Sequence, residues 1–167
     1  MRERQAARGA RRAREFEAFV AGAAGRLLHT ATLLTAEAPG DNPRARRLVT
    51  LALAHTYACW DRLRGEDPYH DTRRHLAARF AREAWHRRGG TGRTRRRPPG
   101  DLAALTAQER LIIVLRLFEG LAEEQTAAVL GLPTDRVRFI CDRAVTRLTR
   151  ASAGRAAAAG GDGAAAS

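Results

Sequence analysis

The sequence contains no lysine, and all 30 of its basic residues are arginine. Together with the abundance of Ala and Gly, that absence reads as compositional bias rather than as a functional signal. Only two cysteines occur, Cys59 and Cys141, far apart in the chain. They exclude a disulfide framework and fit a reducing compartment. Aromatic residues make up just 5% of the chain. No apolar run approaches the roughly 20 residues that span a bilayer. The N-terminal stretch MRERQAARGARRAREFEAF has no uncharged apolar segment, which excludes a signal peptide. A soluble, cytoplasmic protein without membrane contact is expected. Nowhere does apolar and polar alternation persist long enough to predict a strand.

What the sequence does have is charge and helical patterning. The formal net charge is +12 in 167 residues, and hydrophobic residues reach 44%. So basic a chain is drawn to polyanions, nucleic acid first among them. The hydrophobic content suffices for one mid-sized domain or two small ones. Punctuation favours two. GGTGRTRRRPPG, residues 89–100, has nothing to place in a core and reads as a flexible basic linker. Residues 1–13 form a basic arm, and residues 151–167 are an Ala/Gly tail expected to be disordered.

The first block, residues 14–88, carries three helical patterns. Phe16, Phe19, Val20, Ala23, Leu27, Ala31 and Leu34 recur at spacings of three and four, one face of a helix. Asn42 and Pro43 open a second helix as cap and first-turn proline, and Asp67 and Pro68 open a third in the same way. The second helix presents Val49, Leu53, Thr56, Trp60 and Leu63 on one stripe. The third turns Tyr69, Leu76, Phe80 and either Ala84 or Trp85 inward.

The second block, residues 101–150, opens with Thr106 and Glu109 at capping-box spacing. The apolar run RLIIVLRLF follows, then LAEEQTAAVLG, a short helix stopped by Gly131. After a tight turn, a last helix carries Val137, Cys141, Ala144 and Leu148 on its inward stripe. A helix, a tight turn and a second helix are the parts of a DNA-reading helix-turn-helix. The predicted fold class is all-α: two small helical domains joined by a flexible basic linker, the second a helix-turn-helix.

Those residues resemble the sigma-70 family of bacterial sigma factors, specifically its two-domain extracytoplasmic-function type. Leu105, Arg110, Leu115 and Arg116 match the opening of that family's C-terminal domain. Glu124, Ala127, Leu130 and Gly131 match its middle, and Val137, Arg138, Arg143, Ala144 and Leu148 its close. The stretches FEAFVAGAAGRLLHTATLLT and LALAHTYACWDRLRGEDPYHDTRRHLA are similar to its N-terminal domain. The resemblance implies a protein that is not an enzyme, uses no cofactor or metal and directs core RNA polymerase to promoter DNA. An anti-sigma factor is a possible further partner.

It also implies site residues. Thr134, Arg136, Arg138, Phe139, Ile140, Arg143 and Arg147 would face the upstream promoter element. Arg73, Arg74, Arg79, Trp85, Arg87 and Arg88 would face the downstream one. Arg46, Arg47, Leu48, Thr50 and Leu51 would dock on polymerase. The sequence departs from the family where arginines replace acids in the docking helix, where Ala78 stands near an expected Asn, and where Phe139-Ile140 replaces Ser-Arg. These departures keep open an alternative, a sigma-like module acting through protein contacts as an anti-sigma decoy or regulator. His55 and Cys59 lie one helical turn apart, but two ligands are too few for a closed zinc site.

Overall fold

The computed structural model describes residues 1–88 and 101–161. The expected basic linker lies outside the described residues, as does the end of the tail. Six α-helices dominate: α1 (Arg2–Thr35), α2 (Pro43–Cys59), α3 (Pro68–Arg88), α4 (Ala107–Ile113), α5 (Glu123–Leu130) and α6 (Thr134–Gly161). Short 3₁₀ turns occur at Trp60–Leu63 and Asp101–Ala104, and a π turn at Val114–Phe118 continues α4. Among the described residues there is no strand, only an isolated bridge between Ala38 and Asp41. Two boundaries differ from the sequence reading. The basic arm is already part of α1, and α6 runs through the first residues of the Ala-rich tail. Alanine has the highest helix propensity, so a helix already nucleated extends through such a run.

Local chemistry sets most helix ends. Pro43 sits in the first turn of α2 with Asn42 as cap residue, but the Asn42 side chain makes no cap hydrogen bond. Its amide donates to Thr32 Oγ1 at 2.9 Å instead. The orphan N–H groups of α2 are taken by Glu37, whose carboxylate accepts from the Arg44 and Ala45 backbones at 3.2 and 2.9 Å. Asp67 caps α3 by accepting from the Tyr69 N–H at 2.9 Å. Thr106 and Glu109 form the reciprocal capping box of α4. Gly131 ends α5 in the left-handed conformation, φ 64°, which glycine adopts at no steric cost.

The first block is a three-helix bundle. Leu27, Ala31 and Leu34 from α1, Ala45, Leu48 and Ala52 from α2, and Leu76 and Phe80 from α3 fill its interior. Leu111 from α4, with Val114 and Leu115 from the π turn, closes the same core. The two blocks anticipated from the sequence are therefore packed against one another. The second block has its own cluster behind the helix-turn-helix, built on Ile112, Ala127, Val137 and Ile140. No described helix is long and apolar enough to cross a membrane.

Candidate nucleic-acid interface

The helix-turn-helix comprises α5, a turn over residues 131–133, and α6. The Leu132 N–H donates to the Ala127 carbonyl at 3.0 Å, closing the end of α5 and aiming the chain into α6. Buried Ala127 lets α6 approach closely, and Val137 and Ala144 face inward as predicted. Cys141 also packs on the inner side, half-buried, and burial pushes its thiol pKa up. A thiol in that setting is a packing group.

One predicted DNA contact is corrected. Ile140 is 0% exposed and packs with Ile112 and Val137, so it cannot touch a base. Its position three residues after Val137 and four before Ala144 completes the inward stripe. Phe139 is the true surface anomaly, 55% exposed. The Arg136 and Arg143 guanidiniums each stand 5.8 Å from its ring centroid. Such cation–π contacts hold the ring and both charges on one outward face.

The arginines of α6 are held, not loose. Glu109 lies at the start of α4 with its side chain 0% exposed. Its carboxylate accepts from Arg143 Nε at 2.9 Å and Arg147 Nη1 at 3.2 Å. It also closes the capping box on the Thr106 N–H at 2.9 Å. Burial alone would raise the Glu109 pKa. The hydrogen bonds from Thr106 and the charges of Arg147 and Arg143 outweigh it and hold the pKa below the ordinary carboxylate range. Arg138 is clamped to α5, donating from Nε to Glu123 Oε2 at 3.0 Å. That bond raises its pKa further. Glu109 and Glu123 thus orient three of the predicted DNA-facing arginines. Sequence reading identified Glu109 only as a cap, since nothing local shows that it meets residues 34 and 38 positions away. Thr134 opens α6, half-buried.

The first-block residues divide differently. Leu48 was expected to dock on polymerase but is 1% exposed and belongs to the core, a second correction. Arg46, Arg47 and Thr50 are exposed on the opposite side of α2, with Leu51 half-buried. Arg46 Nε donates to Asn42 Oδ1 at 3.0 Å. On α3, Trp85 is 53% exposed, and Ala84, the other inward candidate, is half-buried. Arg74 pairs with Asp71 at 2.7 Å. Arg79 is half-buried, and its Nε has no hydrogen-bond partner. Arg87 and Arg88 lie in the last turn of α3, their side chains outside the described residues. Arg73 is turned away from solvent. Its side chain is 13% exposed and meets Glu119 of the second block at 3.4 Å.

His55 and Cys59 do approach, Nε2 to Sγ at 3.8 Å, and His75 stacks on His55 with centroids 3.9 Å apart. Among the described residues, no group of three or more His, Cys, Asp or Glu converges as a metal site would require.

Residues 102–150 match the family model described as "Sigma-70, region 4". Among solved structures, the chain is similar to that of the sigma factor RpoE in complex with the anti-sigma factor NepR from Bartonella quintana. The identity is 20% and the TM-score 0.61, over 81% of this chain and 95% of that one. At that identity the likeness is one of fold. No curated protein matches the sequence significantly.

Proposed function

We propose that this chain is a member of the sigma-70 family, of the two-domain extracytoplasmic-function type, and that it directs core RNA polymerase to promoters. The observation that carries the reading is the outward face of α6 within the region 4 domain. There Arg136, Phe139 and Arg143 form one aromatic–cationic surface, with Arg143 and Arg147 oriented by Glu109. Recognition helices contact base edges through their N-terminal turns, and these residues lie in the first four turns of α6. Arg143, Arg147 and Arg136 serve phosphates or guanine edges, and Phe139 offers apolar contact to a thymine methyl. Arg138 stays on Glu123 and stiffens the turn. The exposed residues of α2, Arg46, Arg47 and Thr50, form the polymerase-facing surface. Trp85, with the arginines at the end of α3, serves the downstream element, where an aromatic beside cations stacks on an unpaired base. Under this reading an anti-sigma factor is a further partner, as NepR is in the solved complex with RpoE.

Burial of Ile140 supports this reading over that of a protein-binding decoy. It removes one of the two apolar side chains that would have formed such a patch on α6. Run-off transcription with core polymerase and genomic promoter fragments tests the proposal. A transcript dependent on both this chain and a specific upstream sequence is expected. Absence of transcript together with absence of core binding overturns it.

A further inference from the structure

A cleft of about 620 Å³ opens between the first turns of α1 and the chain that follows α2. Ligand pockets span about 300–1,000 Å³, so the size suits a small molecule. Its α1 wall carries Gln5, Arg8, Arg11 and Arg12, and its other wall carries Asp61 and Arg64. Such a lining excludes an apolar ligand. Aromatic packing fixes the two walls to each other. The Phe16 ring lies 4.9 Å from that of Tyr57 and 5.2 Å from that of Trp60, centroid to centroid. The Arg12 guanidinium stands 4.5 Å over the Tyr57 ring and donates to the Tyr57 carbonyl. The cleft is therefore held open by packed groups rather than left between loose side chains.

Its charges are out of balance. Four guanidiniums meet two carboxylates, Glu15 and Asp61. Arg11 reaches Glu15 at 3.6 Å, and Arg12 and Arg64 share Asp61 at 3.4 and 3.6 Å. Strong charge-assisted bonds are shorter, about 2.7–2.9 Å. Ion pairs this long at the surface hold their members weakly and exchange for a better acceptor. Arg8 has no acidic partner among the described residues. Arg12 Nε is buried and has no hydrogen-bond partner. Guanidiniums arriving from two walls suit an anion that offers acceptors on several sides. Linked phosphates have that form, and a guanidinium takes two phosphate oxygens at once. A nucleic-acid strand is met by a groove that tracks its backbone. Arginines converging on one cleft favour a compact anion instead.

We propose that this cleft binds a linked-phosphate anion, free pyrophosphate or the diphosphate tail of a nucleotide, through Arg8, Arg11, Arg12 and Arg64. Arg12, held on Tyr57, is the fixed point of the site. Arg64 turns from Asp61 to the ligand, so Asp61 is the internal competitor. The bound anion joins the start of α1 to the chain after α2 and stabilises the folded state by mass action. The site does not depend on promoter recognition, and the two can fail separately.

Isothermal titration calorimetry of the full chain with inorganic pyrophosphate provides the test. It is run at about 0.15 M salt, where exposed charges more than about 8 Å apart are largely screened. Saturable binding of one pyrophosphate per chain is expected. Arg8 and Arg64 are exposed, so R8Q and R64Q keep the fold. Each is expected to weaken binding about tenfold, the effect of losing a charge-assisted hydrogen bond. D61N removes the competitor and is expected to tighten it. R2Q with R4Q takes two arginines from the same helix outside the cleft, and is expected to stay within about twofold of wild type. An equal loss in that pair, or none in R8Q and R64Q, overturns the proposal and leaves only diffuse charge. Weaker binding by D61N overturns it too. So does a mixed-sequence single-stranded oligonucleotide that binds through Arg8 and Arg64 where pyrophosphate does not. ADP identifies the source. Affinity at or above that of pyrophosphate supports a nucleotide tail, and lower affinity supports the free anion.

Discussion

Two buried glutamates, ten residues apart, hold two arginines each and do opposite things. Glu109 works inside the second block, tying α4 to Arg143 and Arg147 of α6. Glu119 works across the seam, tying the second block to Arg26 and Arg73 of the first. The chemistry is the same, so the difference lies in what parts when the bond breaks. Breaking the Glu109 bonds loosens a recognition helix. Breaking the Glu119 bonds removes the polar part of a seam whose apolar part is the core that Leu111, Val114 and Leu115 share with the first block. One carboxylate belongs to the architecture and the other to the relation between its parts.

The largest expected effect sharpens the first half of that contrast. Ile140→Ala removes a fully buried side chain from the cluster behind α6 and should cost about 3 kcal/mol of second-block stability. Phe139→Ala should stay within about 0.5 kcal/mol, since its ring lies on the surface. Thermal melts of both variants check this, and similar losses would return Ile140 to the surface. Next comes Glu109→Ala, expected to cost about 2 kcal/mol through the missing cap and orphaned partners. Glu119→Ala should cost less, because opening the seam lets water reach Arg73 and Tyr69. Equal costs in calorimetry would break the comparison and make the seam part of one cooperative unit.

Acid tests the Glu109 bonds directly. The Glu109 pKa is depressed in the folded state, so its stabilisation is present above the unfolded value of about 4.3. It is lost as pH falls through the lower folded value. Wild type should therefore lose melting temperature below about pH 5 more steeply than Glu109→Gln, and parallel curves would refute the coupling. The smallest effect concerns DNA. Arg143→Ala with Arg147→Ala should lower the salt slope of duplex binding by about 0.9 for each phosphate that is no longer neutralised. Arg138→Ala should change it less, since Glu123 already holds that guanidinium. A larger change for Arg138 would reverse those roles.

Much of the fold was legible in the sequence because helix ends are local events. Pro43, the Asp67-Pro68 pair, the Thr106–Glu109 box and Gly131 announce themselves within a few residues. The stripe of α1 was legible for the same reason. The Glu37 cap of α2 was not, because an irregular turn brings it back from seven residues upstream. Nor was the seam, where Thr30 meets a partner 89 residues away. The misplacement of Ile140 has a different origin. Periodicity allowed it on the inward stripe, but likeness to a family with a polar residue there pulled it outward. The family match on residues 102–150 located the domain, while side-chain packing decided which residues face outward.

The π turn at Val114–Phe118 has a consequence of its own. The Glu119 N–H bonds to the Val114 carbonyl, five residues back rather than four. Such a turn is one residue of excess helical phase. It leaves Leu117 and Phe118 on the surface, with Phe118 against His29, and brings Glu119 round to the seam. Rewinding the same residues as a regular α-helix would turn position 119 away from the seam. The register between the two halves of this molecule is therefore written in one extra residue.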